Sequence, residues 1–208
     1  MVSIPVAWLI SIFALLLTVI VSRQVRMPQF PRMCFGLGLI SIAVVAAFVG
    51  IRFQFNDPAF IGLQPYLAAI TAPAIWLGFH TLTTQEAAPE SHSVRVLVGS
   101  VVAAWIIIAL PFPWTASVAV ILINISNALR LLHLLRLPSE TFVHVASQTY
   151  PTLRIAIIGC LAFLLLVIAI DTSVLATGLA AGEERAMMLL SDAAFTIVIV
   201  ITLGVFAG

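Results

Sequence analysis

The chain has 208 residues, of which 62% are hydrophobic and 8% are charged, and its formal net charge is +1. Soluble domains carry about 25% charged residues and far fewer apolar ones, so this composition excludes an ordinary soluble domain. The small net charge gives no reason to expect that the chain itself contacts nucleic acid.

Seven apolar segments follow one another, each close to the ~20 residues that cross a bilayer core. Short links join them, which is typical of a helical bundle; β-barrel strands are ~10-residue alternating segments. The third segment contains Pro65 and Pro73, which would kink it or delay its start. We therefore expect an all-α, polytopic integral membrane protein of about seven transmembrane helices, with residues 1–208 forming a single transmembrane domain. The segments are approximately residues 4–21, 34–51, 60–82, 94–110, 116–135, 153–170 and 186–206.

The basic residues, which are all arginines, divide unequally between two sides of this map. Links 2–3 and 6–7 carry only Arg52 and Arg185. Because cytoplasmic loops carry the excess of basic residues, we expect the N-terminus outside and the C-terminus in the cytoplasm. The expected location is the bacterial inner membrane, crossed several times. The arginines of links 1–2, 3–4 and 5–6 with their flanks are Arg23, Arg26, Arg32, Arg95, Arg130, Arg136 and Arg154.

Polar side chains recur every three residues along the fifth segment, at Asn124, Asn127, Arg130 and His133, and Arg136 follows. A stride of three drifts about 60° backward per step on an α-helix, so these groups spiral around its axis. Long side chains in the last two turns can reach the interface, and we interpret Arg130, His133 and Arg136 as cytoplasmic anchors. The deeper Asn124 and Asn127 either form interhelical hydrogen bonds or line a pocket.

A second polar set lies on the outer side in this topology, with Asp171 at the end of the sixth segment. A pair of Arg52 with Asp171 or Asp192 would lower the cost of a charge near the apolar core. The set is therefore either a structural ion pair with interfacial solvation, or an outward-open polar pocket that senses a small ligand. Its members are Arg52, Asn56, Asp57, Gln64, Asp171 and Asp192.

Catalytic and metal-binding patterns do not stand out in the sequence. No nucleophile motif such as G-x-S-x-G occurs. The spacing of His80, His92, His133 and His144 does not match a metal-binding motif. We therefore expect no enzyme activity, no metal site and no cofactor. The absence of lysine also excludes a retinal Schiff base.

Several short motifs occur in a distinctive order. They are V-G-I-R-F at residues 49–53, L-Q-P-Y-L-A-A-I-T-A-P-A-I-W-L-G-F at 63–79, N-A-L-R-L-L at 127–132, L-P-S-E at 137–140 and A-I-D at 169–171, with an acidic link after the last. Together they resemble the N-terminal membrane region of bacterial arabinose-regulator-type (AraC/XylS) transcription factors. In that family, a seven-helix membrane part precedes a cytoplasmic pair of helix-turn-helix motifs.

The resemblance extends from about residue 35 to the end, and the chain reaches Gly208 without a helix-turn-helix domain. We therefore expect either the sensor part of a longer regulator or a stand-alone relative. The family signature positions implied by the resemblance are Arg52, Gln64, Pro65, Trp76, Arg130, Pro138 and Asp171.

These features lead us to expect a membrane-embedded sensory or regulatory domain that relays an envelope or small-molecule signal to a cytoplasmic effector. The alternatives are a small transporter or substrate-binding membrane subunit, and a structural subunit of a larger membrane complex. The expected partners are the lipid bilayer and a small-molecule ligand. A homodimer or a larger membrane complex is also compatible with the sequence.

Overall fold

The computed structural model describes residues 6–24, 27–55, 62–83, 91–112, 114–142 and 149–181. Within these ranges the chain is all-helical and has no strand, which confirms the predicted all-α class. A 3-10 turn at Ser139–Thr141 separates the last two helices. The α-helices are α1 (Val6–Ser22), α2 (Gln29–Phe55), α3 (Gln64–His80), α4 (Ser91–Ile108), α5 (Thr115–Leu135) and α6 (Tyr150–Ala181).

Three described helices are long and apolar enough to cross a membrane, judged by length and composition. They comprise Gln29–Arg52 of α2, Thr115–Leu135 of α5 and Tyr150–Leu179 of α6. Shorter apolar helices cover Ala7–Ser22 and Ser93–Ile108. The predicted seventh helix at 186–206, with Asp192, lies outside the described residues, as do Asn56 and Asp57.

The sixth helix differs most from its predicted bounds. It has 32 residues and continues to Ala181, whereas the apolar segment was expected to end at residue 170. The prediction that Asp171 ends this helix is therefore wrong. Helical hydrogen bonding continues past this one charged residue because apolar and small residues follow it. As a consequence, Asp171 projects from within a helix that packs on α5.

The bundle is organised around α3, which contacts α2, α4 and α5, while α1 packs on α2 and α6 packs on α5. Two serine hydroxyls join successive helices by donating to backbone carbonyls at 2.8 Å. Ser11 of α1 bonds to the Ala43 oxygen, and Ser41 of α2 bonds to the Leu67 oxygen. Such bonds hold helices together where water is scarce.

Close approach of α2 and α3 depends on glycine. A Cβ atom on Gly38 would lie 2.7 Å from Ile75 Cγ1, and one on Gly78 would lie 2.8 Å from the Phe35 ring. Small residues at such positions allow helix backbones to approach closely. The α3 helix itself starts at Gln64, later than the predicted residue 60, and contains Pro73 in its interior.

Candidate ligand cavity

A cavity of about 410 Å³ lies between α1, α2, α3, α5 and α6. Its lining comes from the first halves of α1, α3 and α5 and from the middle and second half of both α2 and α6, so these parts lie toward one end of the bundle. The volume falls within the range of about 300–1,000 Å³ that is typical of small-molecule sites. Much of the wall is apolar and includes Ile10, Ile42, Val45, Phe163, Leu164 and Val167.

Besides the hydroxyls of Thr71 and Ser117, two amides and one carboxylate from three different helices line this cavity: Gln64 of α3, Asn124 of α5 and Asp171 of α6. Gln64 Nε2 is buried without a hydrogen-bond partner. Asn124 is only 5% exposed. Neither Asn124 nor Asp171 forms a hydrogen bond or ion pair with another described residue. Buried polar groups are normally hydrogen-bonded, and these side chains are exceptions. They therefore retain bonding capacity for a bound molecule.

Helical periodicity explains how the chain presents these groups together. On α5, Ser117, Val120 and Asn124 line the cavity at spacings of three and four, which places them on one helix face. On α6, Val167 and Asp171 are four residues apart and also share a face. The α5 and α6 sides of the cavity therefore each combine apolar and polar groups on one helix face.

The electrostatics of the cavity are dominated by one group. Among the described residues that line it, Asp171 is the only one with a formal charge, and none is an arginine or histidine. Arg52, its expected partner, is half-buried near the end of α2 and is not part of the lining. An apolar wall screens a carboxylate poorly, so the cavity favours positive charge.

The remaining polar residues of α5 lie away from the cavity lining. Asn127 is 0% exposed and donates Nδ2 to the Ile123 oxygen at 2.7 Å, whereas its Oδ1 has no hydrogen-bond partner. This difference between Asn124 and Asn127 follows from the 60° drift between residues three apart on a helix. The two asparagines therefore face different surroundings.

A second cluster, the Trp76 stack, consists of Arg130, Trp76 and His80. The Arg130 guanidinium carbon lies 4.8 Å from the centre of the Trp76 ring, a cation–π contact. The His80 ring stacks on Trp76 with centroids 5.1 Å apart. His80 Nε2 is also hydrogen-bonded to Ser93 Oγ at 2.9 Å, which ties α3 to α4.

The three predicted cytoplasmic anchors occupy different environments. His133 and Arg136 are exposed, as side chains that reach an interface are expected to be. Arg130 is half-buried against Trp76, and its Nη1 is buried without a hydrogen-bond partner. The contact between Arg130 and Trp76 was not predicted, because the two residues are far apart in the sequence.

The structure therefore regroups the candidate residues. Gln64 and Asp171 came from the outer polar set and Asn124 from the fifth-segment set, and all three now line one cavity. Its apolar wall was not predicted, because lining positions look like ordinary membrane-helix residues. No family model, no curated protein and no solved structure matches the chain, so the geometry of this cavity carries the functional argument.

Proposed function

We propose that this chain is a membrane-embedded sensory or regulatory domain that binds a small molecule in the cavity and relays its presence to a cytoplasmic effector. The supporting observation is that Gln64, Asn124 and Asp171 meet in an apolar cavity with their bonding capacity unused. Ionisable and polar groups at membrane depth are costly, and those that persist usually serve function.

The proposed placement is a multi-pass protein of the bacterial inner membrane with its N-terminus outside. This orientation comes from the arginine distribution, and it assigns the cavity to the outer half of the bundle. The Trp76 stack then lies in the cytoplasmic half, since it involves the last turns of α3 and the second half of α5.

Relay between the halves would use α3 and α5, because both helices line the cavity and both contribute to the Trp76 stack. A ligand shifts such a bundle only if it binds one packing arrangement better than another. The resemblance to AraC/XylS-type regulators supports a DNA-binding domain as the effector, carried either by a longer form of this protein or by a partner chain.

The test uses the full chain in lipid nanodiscs and a small-molecule library screened by thermal shift. We expect at least one compound to stabilise the wild type and to lose its effect in Asn124→Leu, which replaces a cavity amide by an apolar group. The matched control is Leu122→Ala, at a 53% exposed position on the same helix. Equal stabilisation of the wild type and Asn124→Leu by every active compound would contradict the proposal.

Relay of the signal from the cavity toward the cytoplasmic side is tested separately, by hydrogen exchange. Hydrogen exchange of residues 136–142, beyond the end of α5, should change when an active compound is added. An unchanged exchange pattern there, with binding retained, would leave a binding protein and remove the signalling role.

A small transporter is the second candidate, favoured by one observation. Pro73 lies inside α3 close to the cavity residue Thr71, and interrupted helices often border transport sites. Proteoliposome uptake of a compound that binds the cavity, lost in Asn124→Ala and kept in Leu122→Ala, would favour transport over sensing.

A further inference from the structure

We infer that the cavity takes an organic cation: a small molecule with an apolar body whose protonated amino group lies against Asp171. This inference rests on the proposed function, since it assigns a ligand class to the same cavity. It depends on how the chemistry of Asp171 differs from that of the two amides beside it.

The amides of Gln64 and Asn124 can adapt to different ligand groups, whereas the carboxylate cannot. Each amide carries both a hydrogen-bond donor and an acceptor. An ionised carboxylate accepts hydrogen bonds only, so Asp171 requires a donor from the ligand. A cationic donor gives a charge-assisted bond, which is roughly twice as strong as a neutral one. The carboxylate therefore decides the charge of the preferred ligand.

The protein supplies no counter-charge for Asp171 within the described lining. No basic side chain is found there, and Asp171 forms no ion pair with any described residue. An anionic ligand would meet this carboxylate across an apolar medium, where repulsion between like charges is strong. Anions are therefore the least suitable class, and neutral molecules leave the carboxylate uncompensated.

Size and wall chemistry separate an organic cation from a metal ion. The cavity measures about 410 Å³, far more than a bare ion occupies, and Phe163, Leu164 and Val167 belong to its wall. A hard cation requires six or more oxygen ligands. An apolar body carrying an ammonium group instead uses both the hydrocarbon wall and the carboxylate.

The test compares three probes of similar size that differ in their head group: 2-phenylethylamine, 2-phenylethanol and 3-phenylpropanoate. Binding to the full chain in zwitterionic nanodiscs is measured by calorimetry, with empty nanodiscs as the blank for partitioning into lipid. We expect the amine to bind at least about tenfold more tightly than the alcohol and the acid to bind weakest.

Variants of Asp171 separate charge from shape. Asp171→Asn should bring the affinities of amine and alcohol to within about threefold of each other, and Asp171→Glu should retain the preference for the amine. Asn124→Leu should weaken both probes while keeping the amine ahead. Size-exclusion elution and tryptophan fluorescence show whether each variant is folded, and Asp171→Glu supplies a charge-retaining comparison if Asp171→Asn does not fold.

Two comparisons of amine with alcohol could overturn the ligand class: equal binding of both to the wild type, or an amine preference that survives in Asp171→Asn. Failure of the amine to bind also overturns it. The proposed function is decided separately, because binding of the alcohol or of a library compound that is lost in Asn124→Leu keeps the cavity as a ligand site of another class.

Discussion

Polar groups at the two ends of the α3–α5 pair have different surroundings. At the cavity end, Gln64, Asn124 and Asp171 come from three helices and leave bonding capacity unused beside an open volume. At the other end, Trp76 and His80 are stacked and Arg130 lies over the Trp76 ring. Polarity within an apolar helical bundle therefore does not by itself identify a ligand site. Arg130 Nη1 also lacks a hydrogen-bond partner, so the distinguishing feature of the cavity end is the open volume that its polar groups line.

The first prediction tests whether packing differs between these ends. Leu131 is 0% exposed in the apolar core beyond the cavity, whereas Leu164 is buried but also lines the cavity. Leu131→Ala should lower the free energy of unfolding by about 2–5 kcal/mol. Leu164→Ala should cost less, because one side of that leucine already lacks contacts. Unfolding in mixed micelles measures both; equal losses would show that the cavity is packed as tightly as the core.

The second prediction concerns the α2–α3 contact between the two ends. Gly38→Ala should cost about 1–3 kcal/mol of unfolding free energy, because the new Cβ would lie 2.7 Å from Ile75 Cγ1. Gly36→Ala is the matched control on the same helix, since a Cβ there meets nothing within 4 Å. The control should be neutral or slightly stabilising. An equal gain in stability in both variants would mean that helix propensity, and not the close contact, governs this region.

The third prediction sharpens the description of the Trp76 stack. A double-mutant cycle with Trp76→Leu and Arg130→Met should give a coupling energy of about 0.5–2 kcal/mol. Leu129→Met with Trp76→Leu provides a control pair, because Leu129 is 63% exposed. A coupling energy near zero for Trp76 and Arg130 would group Arg130 with the exposed residues His133 and Arg136, which are predicted to be interface anchors.

The fourth prediction is the smallest and has the opposite sign. In the unliganded protein, Asp171→Asn should raise the free energy of unfolding by on the order of 1 kcal/mol, since it removes an uncompensated charge from an apolar cavity. Thermal unfolding without added ligand measures the change. A clear loss of stability would instead identify Asp171 as a structural group and would remove the contrast between the two ends.

Much of the helical framework was accessible from the sequence. The fifth segment was expected at 116–135 and the helix spans Thr115–Leu135, because polar or proline-containing links bound it on both sides. The sixth helix was predicted to be too short, because an apolar segment ends at a charged residue whereas backbone hydrogen bonding continues through it. Asp171 shows the difference most directly.

The cavity was only partly predictable. Gln64, Asn124 and Asp171 were candidates because intramembrane polar groups are rare, but their convergence depends on helix rotation and tilt. The 60° drift along the helix indicates that Asn124 and Asn127 point in different directions. It does not indicate which of the two lines the cavity together with residues of α6. Trp76 as the partner of Arg130 depends on tertiary contact alone.

Pro73 gives the two helices that join these ends different mechanical properties. Because proline has no amide hydrogen, the carbonyl of Ala69 loses its usual intrahelical donor, and the backbone between Ala69 and Pro73 is held by one bond fewer. The α5 helix has no proline between Thr115 and Leu135. The α3 helix therefore has a weak point at Pro73, whereas α5 has no proline that would create one. Widening the cavity would change the angle within α3, while α5 would move as a single piece and carry Arg130 with it.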